Sequence, residues 1–175
     1  KIDSESRNEK NVAEYIKKKL KRLNIKFKID NSKNKTKSNH GNIIARLVSN
    51  PKLPTIVLSS HMDTVVPGNG IKPIVKKNFV ISSGDTILGS DDKSGLAIIL
   101  EILEVFSTGK FNHLNIEAAI TTCEEIGLLG AKYLDYKLLK SKEGIVLDST
   151  SPERLVTKGP ASDLFNIEVN GIEAH

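Results

Sequence analysis

Two adjacent carboxylates, Asp91 and Asp92, follow a glycine and precede a helical pattern in the stretch GDTILGSDDKSG, residues 84–95. Apolar residues then recur at Leu96, Ile99, Leu100, Leu103 and Phe106, close to the helical period, and Gly109 marks the end. The pair therefore sits at a helix N-terminus, where the dipole and the free N–H groups favour ionised side chains. Three further acidic or imidazole groups lie elsewhere in the chain: His61-Met62-Asp63, Cys123-Glu124-Glu125 and Asp148. One histidine and several carboxylates form a mixed nitrogen and oxygen ligand set, which suits zinc and also accommodates manganese or cobalt. A carboxylate such as Asp91 can bridge two ions, and two ions can share a water and a substrate carbonyl. Of Glu124 and Glu125, one can bind metal while the other stays free as a general base. Asp63 can accept a hydrogen bond from the His61 ring, fixing its tautomer and raising its basicity.

Each group also has a plainer explanation. Asp91 can be a helix cap with Asp92 a solvated charge. A lone His-x-Asp is commonly a surface pair, and Glu-Glu at a helix start commonly serves the dipole. Asp148 after a strand can open a turn. Cys123 reads best as a small buried residue rather than a ligand or nucleophile. HExxH, paired CxxC, GxSxG and Walker A patterns are all missing from the sequence.

The elements that must position these groups alternate along the chain. Ser6-x-x-Glu9 reads as a capping box opening a helix, with Val12, Tyr15, Ile16, Leu20 and Leu23 as its buried stripe. Residues 25–29 read as a short strand, 30–40 as a loop, 42–48 as a strand and 50–54 as a turn. The continuous apolar run 55–60 suits a central strand covered on both faces, and it leads straight into His61. Residues 73–82 read as a hairpin turning at Lys77 and Asn78. After the acidic stretch and its helix, 115–122 reads as a strand, 127–134 as a helix and 144–147 as a buried strand; 154–158 and 163–170 read as two more strands. The alternation predicts an α/β layered domain with a largely parallel central sheet. In such sheets the site lies beyond the carboxyl ends of the strands. His61, Glu124, Glu125 and Asp148 all fall at such ends, so the topology gathers groups that are distant in sequence.

The chain has 175 residues, 38% hydrophobic and 27% charged, which suits one soluble core. No apolar run approaches a membrane span, and the opening KIDSESRNEK lacks a signal-peptide core. With one cysteine no intrachain disulfide is available, and a reducing, cytoplasmic setting is expected. Residues 10–40 carry eleven Lys or Arg against Glu14 and Asp30, while the rest of the chain is net acidic. These lysines alternate with an apolar stripe and no aromatic platform accompanies them, so a solvated helix face and a basic loop are expected, without nucleic acid or membrane partners.

The motifs HMDTVVPG (61–68), LGSDDKSGLA (88–97), CEEIGLLGAKYLD (123–135) and VLDS (146–149) together resemble the dinuclear zinc peptidases that include peptidase T, aminoacylase and glutamate carboxypeptidase, and are most similar to the peptidase T-like branch. The resemblance implies a zinc-exopeptidase-type catalytic domain over residues 1–160 and the start of an α+β lid, which can pair two subunits into a homodimer, over 161–175. It implies two Zn2+ per site, with Co2+ or Mn2+ as substitutes: His61 and Asp148 on one ion, Asp91 bridging, and Glu125 on the second. It implies Glu124 as general base, Asp63 as the group orienting His61, His175 as the lid histidine that steadies the oxyanion, and a cis bond between Asp91 and Asp92. It also implies that this chain is an N-terminal piece, because the family's last zinc ligand lies far beyond residue 175. The implied activity is aminopeptidase action on tripeptides. Carboxypeptidase or N-acyl-amino-acid deacylase action within the same family, and a non-catalytic metal-binding fragment, are the alternatives.

Overall fold

The Lys-rich helix and the β-branched runs sort into layers as their periods dictate. The computed structural model describes residues 2–149, 151, 153–159 and 165–172. Helix α1 (Lys10–Arg22) buries Val12, Ala13, Ile16 and Leu20 and turns its lysines to solvent. Tyr15, expected in the buried stripe, is half exposed, and Ala13 takes its place on the inner face. Strand β1 (Lys26–Ile29) follows, then a short helix α2 (Lys33–Thr36) within the expected loop, and strand β2 (Ile43–Leu47). Strand β3 (Thr55–His61) leads to the hairpin of β4 (Pro73–Val75) and β5 (Val80–Ser82). Helix α3 (Ser90–Ser107), strand β6 (Asn115–Thr121), a short helix α4 (Leu129–Lys132), a 3-10 turn (Tyr136–Leu138) and strand β7 (Glu143–Val146) complete the order.

The main sheet has the order β1-β2-β6-β3-β7. β6 and β7 each run parallel to β3, and β2 runs antiparallel to both of its neighbours. Four of the five strands therefore point the same way, with β2 alone reversed, and the parallel trio β6-β3-β7 carries the site. The most deeply buried strand is β6, covered along its whole length, whereas β3 is only partly covered over its first half. The reason is position: β3 lies beside the exposed strand β7, while β6 lies at the centre of the sheet.

Helix α3 packs on β3 and buries Leu96, Ile99, Leu100 and Leu103 against the sheet. A fully buried Leu or Ile of this kind contributes about 1.5–3 kcal/mol. The crossover from β6 to β7 is held by Glu117, a buried carboxylate that pairs with Arg46 and accepts the N–H groups of Lys140 and Ser141. Residues 154–158, expected as a strand, have no regular secondary structure; nor have 165–170 of the second expected strand, whose residues 163 and 164 lie outside the described residues. Leu155, Val156, Phe165, Ile167 and Val169 are exposed, and an extended run without a neighbour to pair with forms no ladder.

Candidate metal centre

His61 ends β3 on the carboxyl rim of the sheet, and its side chain is almost wholly buried. Its Nδ1 lies 2.9 Å from the backbone carbonyl of Asp63 and 3.4 Å from Asp63 Oδ1. The carbonyl is thus the nearer acceptor, with the expected carboxylate beside it. That contact directs Nε2 into the site, where it faces Asp91 Oδ1 at 3.0 Å, Glu124 Oε2 at 3.7 Å and Asp148 Oδ2 at 3.9 Å.

The adjacent aspartates have opposite roles. Regular helical geometry begins only after Asp92, since Asp91 and Asp92 themselves have non-helical backbone angles and the bond between them is cis, as expected. Asp92 is buried and its Oδ1 accepts the N–H of Gly95 at 3.0 Å, so Asp92 is the cap of the helix proper. The Ser60 hydroxyl holds the Asp92 carbonyl at 3.2 Å. Asp91, with 69% of its side chain exposed, projects toward His61. The plainer reading had assigned cap and solvated charge the other way round.

Glu124 and Glu125 occupy a tight turn after β6. Cys123 and Leu128 have left-handed φ, and the Leu128 N–H bonds back to the Glu124 carbonyl. Three remote groups hold this turn. Buried Asn42 accepts the Thr122 N–H at 3.0 Å, Glu9 accepts the Cys123 N–H at 3.0 Å, and Asp63 accepts the N–H groups of Glu124 at 2.9 Å and Glu125 at 3.2 Å. Cys123 is buried, and burial together with Glu9 pushes its thiol up to about 12, which fits a packing residue. Asp148 follows β7, held at the rim because Leu147 donates to the Ser59 carbonyl.

Sequence reading missed Ser6, Glu9 and Asn42 as supports of the site. The Ser6-x-x-Glu9 spacing predicts a capping box, but α1 begins at Lys10, and the two side chains bond to Asp63 and Cys123 instead of closing a local box. Glu9 also accepts the Arg7 N–H at 2.9 Å, but the partners that tie the two residues to the site lie 57 and 114 residues away, where no local pattern reveals them. His175 lies outside the described residues.

Ligand atoms of His61, Glu124 and Asp148 lie within 4.8 Å of one another, as do those of His61, Asp91 and Glu125. Among the described residues, the carboxylates of Glu124, Glu125 and Asp148 accept no hydrogen bond from a protein donor. Burial raises the pKa of all three, and their negative neighbours raise it further. For His61 burial acts downward, but the hydrogen bond and charge of Asp63, with Glu124 and Asp91, outweigh it and push the ring up to about 9. A buried imidazole drawn to hold a proton, ringed by carboxylates short of donors, has the electrostatics of a cation site. The donor set of one imidazole and four carboxylates fits one or two borderline divalent ions. A cavity of about 720 Å³ between α1, α3 and the hairpin is lined by Val12, Tyr15 and Leu100 and by none of these five groups. The charged cluster itself is an open rim.

The sequence model of peptidase family M28 matches residues 42–156. The uncharacterized protein YqjE of Bacillus subtilis is 38% identical over 99% of this chain and 47% of its own length. A tripeptidase from Staphylococcus aureus superposes with a TM-score of 0.81 at 40% identity, over 86% of this chain and 40% of that one. The aminopeptidase PepT of Bacillus cereus superposes with a TM-score of 0.80 at 42% identity, over 85% and 40%. The chain spans about half the length of the curated relatives it matches.

Proposed function

The chain belongs to peptidase family M28, and from that premise we propose that it carries the metal-binding and proton-transfer groups of an exopeptidase that removes residues from the amino end of tripeptides. The observation that supports this reading is the convergence of His61 with Glu124 and Asp148 on one side and with Asp91 and Glu125 on the other. The likeness to a tripeptidase and to an aminopeptidase, each at 40% identity or more, favours small peptides with a free amine as substrates.

In this reading His61 and Asp148 would hold one Zn2+ and Glu125 a second, with Asp91 available to both, and Co2+ or Mn2+ could substitute. Ions bound there polarise the scissile carbonyl and make a water acidic enough to lose a proton near neutral pH. Glu124 takes that proton. Its carboxylate is only partly exposed and accepts no protein hydrogen bond among the described residues, and burial raises its pKa, so it is a competent base that can later give the proton to the leaving amine. Asp63 keeps the His61 ring and the glutamate amides in register. His175, carried over from the family resemblance alone, steadies the oxyanion. Residues 1–160 are then the catalytic part, and 161–175 open a lid through which two subunits pair, in a cytoplasmic protein. No helix among the described residues is long and apolar enough to cross a membrane.

The experiment is Glu124→Gln in the full-length zinc-loaded protein. Turnover of a free-amine tripeptide should fall by about 100- to 10,000-fold with metal content unchanged. Wild-type turnover would exclude Glu124 as the base. Loss of one ion together with activity would make Glu124 a ligand, as its grouping with His61 and Asp148 would then require. Preference for N-acylated amino acids over free-amine tripeptides would move the substrate class to a deacylase.

A further inference from the structure

Residues 3–6 run beside residues 62–70 as a strap. The Thr64 N–H donates to the Ser4 carbonyl at 3.0 Å, and the Ser6 N–H to the Thr64 carbonyl at 3.2 Å. Side chains repeat the pattern: the Ser4 hydroxyl donates to the Met62 carbonyl at 2.8 Å, Glu5 accepts the Gly68 N–H at 2.7 Å, and Asp3 accepts the Gly70 N–H at 2.9 Å. Within this strap only Ser6 reaches a side chain of the site. Its hydroxyl donates to Asp63 Oδ2 at 2.6 Å.

We propose that Ser6 is a positioning residue of the metal centre, acting through Asp63 on Glu124 and Glu125. Asp63 touches His61 on one side and the amides of both glutamates on the other. Rotation of its carboxylate decides which oxygen meets which amide. Oδ1 is fixed by the Glu124 N–H at 2.9 Å, whereas Oδ2 has the Glu125 N–H only at 3.2 Å and takes its short bond from Ser6. Without that hydroxyl Oδ2 keeps only the longer Glu125 bond, so the carboxylate is held less firmly and the two glutamates share a looser anchor. A hydroxyl suits the task because it donates without adding a charge that would compete with a cation for the carboxylate. A capping role is excluded because α1 starts four residues later and receives nothing from the Ser6 side chain.

The proposal rests on the reading of the cluster as a metal centre, so the test has one readout that needs no metal. In the metal-free full-length protein, Ser6→Ala should shift the amide resonances of Glu124 and Glu125 and speed their hydrogen exchange. In the same variant the affinity for Co2+ should fall by about 10- to 100-fold, the range for loss of a group supporting a metal ligand. Ser6→Thr, which keeps the hydroxyl, should restore both. Ser6→Cys, close in shape but a weak donor, should behave as Ser6→Ala and serves if that variant folds poorly. Unchanged glutamate amides with Co2+ affinity within twofold of the parent would overturn the proposal. Perturbed amides in a protein whose parent takes up no Co2+ would support the Ser6–Asp63 linkage and overturn the metal reading instead.

Discussion

Hydrogen-bond supply separates two sets of carboxylates in this chain. Glu117, Asp63 and Glu9 are buried and surrounded by donors. Burial would raise the pKa of Glu117 and of Asp63, but their hydrogen bonds outweigh it and hold both below the usual carboxylate range. Glu124, Glu125 and Asp148 are shifted the opposite way, because burial, with the repulsion of neighbouring carboxylates, outweighs the downward pull of the His61 charge. The first group shapes the fold; the second is left with charge to spend on a cation. A pH experiment at Glu117, remote from the site, tests the rule. A depressed pKa means stability that is fully present above the unfolded value of about 4.3 and is lost as pH falls through the folded value. Glu117→Gln should therefore cost about 2 kcal/mol at pH 7, as expected for hydrogen bonds to a charged group, and progressively less below pH 4. Denaturant unfolding at pH 7 and pH 3 measures the gap between variant and parent. A gap that stays constant with pH would mean that the carboxylate charge has no part in holding the β6–β7 crossover.

At the scale of elements, the close approach of α3 to the end of β7 places Asp148. Gly95 makes the approach possible: a Cβ there would lie 2.5 Å from Asp92 Oδ1 and 2.5 Å from the Leu147 carbonyl. Helix propensity alone predicts that Gly95→Ala stabilises by about 1 kcal/mol. The geometry predicts the opposite sign, a loss of about 1–3 kcal/mol, because the backbone beside Asp148 must shift. Equilibrium unfolding gives the sign directly, and a stabilised variant would mean that α3 and β7 separate without cost. This contact is not visible in the sequence, because Leu147 lies far along the chain from Gly95. What was legible were the periods: the stripe of α3, the β-branched run of β3 and the placing of His61, Glu124 and Asp148 at strand ends. Those signals are local. The supports from Ser6, Glu9 and Asn42 span 57, 114 and 80 residues and leave no periodic trace, and the Ser6-x-x-Glu9 spacing imitated a cap. Residues 154–158 also misled, because a short apolar stretch forms a strand only where another strand pairs with it.

For the molecule as a whole, the rim of the sheet is a place where four chain segments are brought together against their own charge. His61 comes from the end of β3, Asp91 from the start of α3, Glu124 and Glu125 from the turn after β6, and Asp148 from beyond β7. Partly buried like charges at this rim oppose the docking of those segments, and a cation that binds only the folded arrangement reverses the effect. Stability and metal occupancy are then linked. At a free zinc concentration 100 times its dissociation constant, binding adds about 2.7 kcal/mol, which for a chain of this size raises the unfolding midpoint by about 5–10 °C. Calorimetry of the protein with chelator and with zinc measures the shift. His61→Ala should abolish most of it, because that side chain belongs to both ligand groupings, whereas replacement of the half-buried His113, which packs on Phe106 and belongs to neither, should leave it intact. A midpoint that ignores zinc in the parent would mean that the cluster does not close on an ion in this chain, and the repulsion at the rim would have to be relieved by protons on Glu124, Glu125 and Asp148 instead.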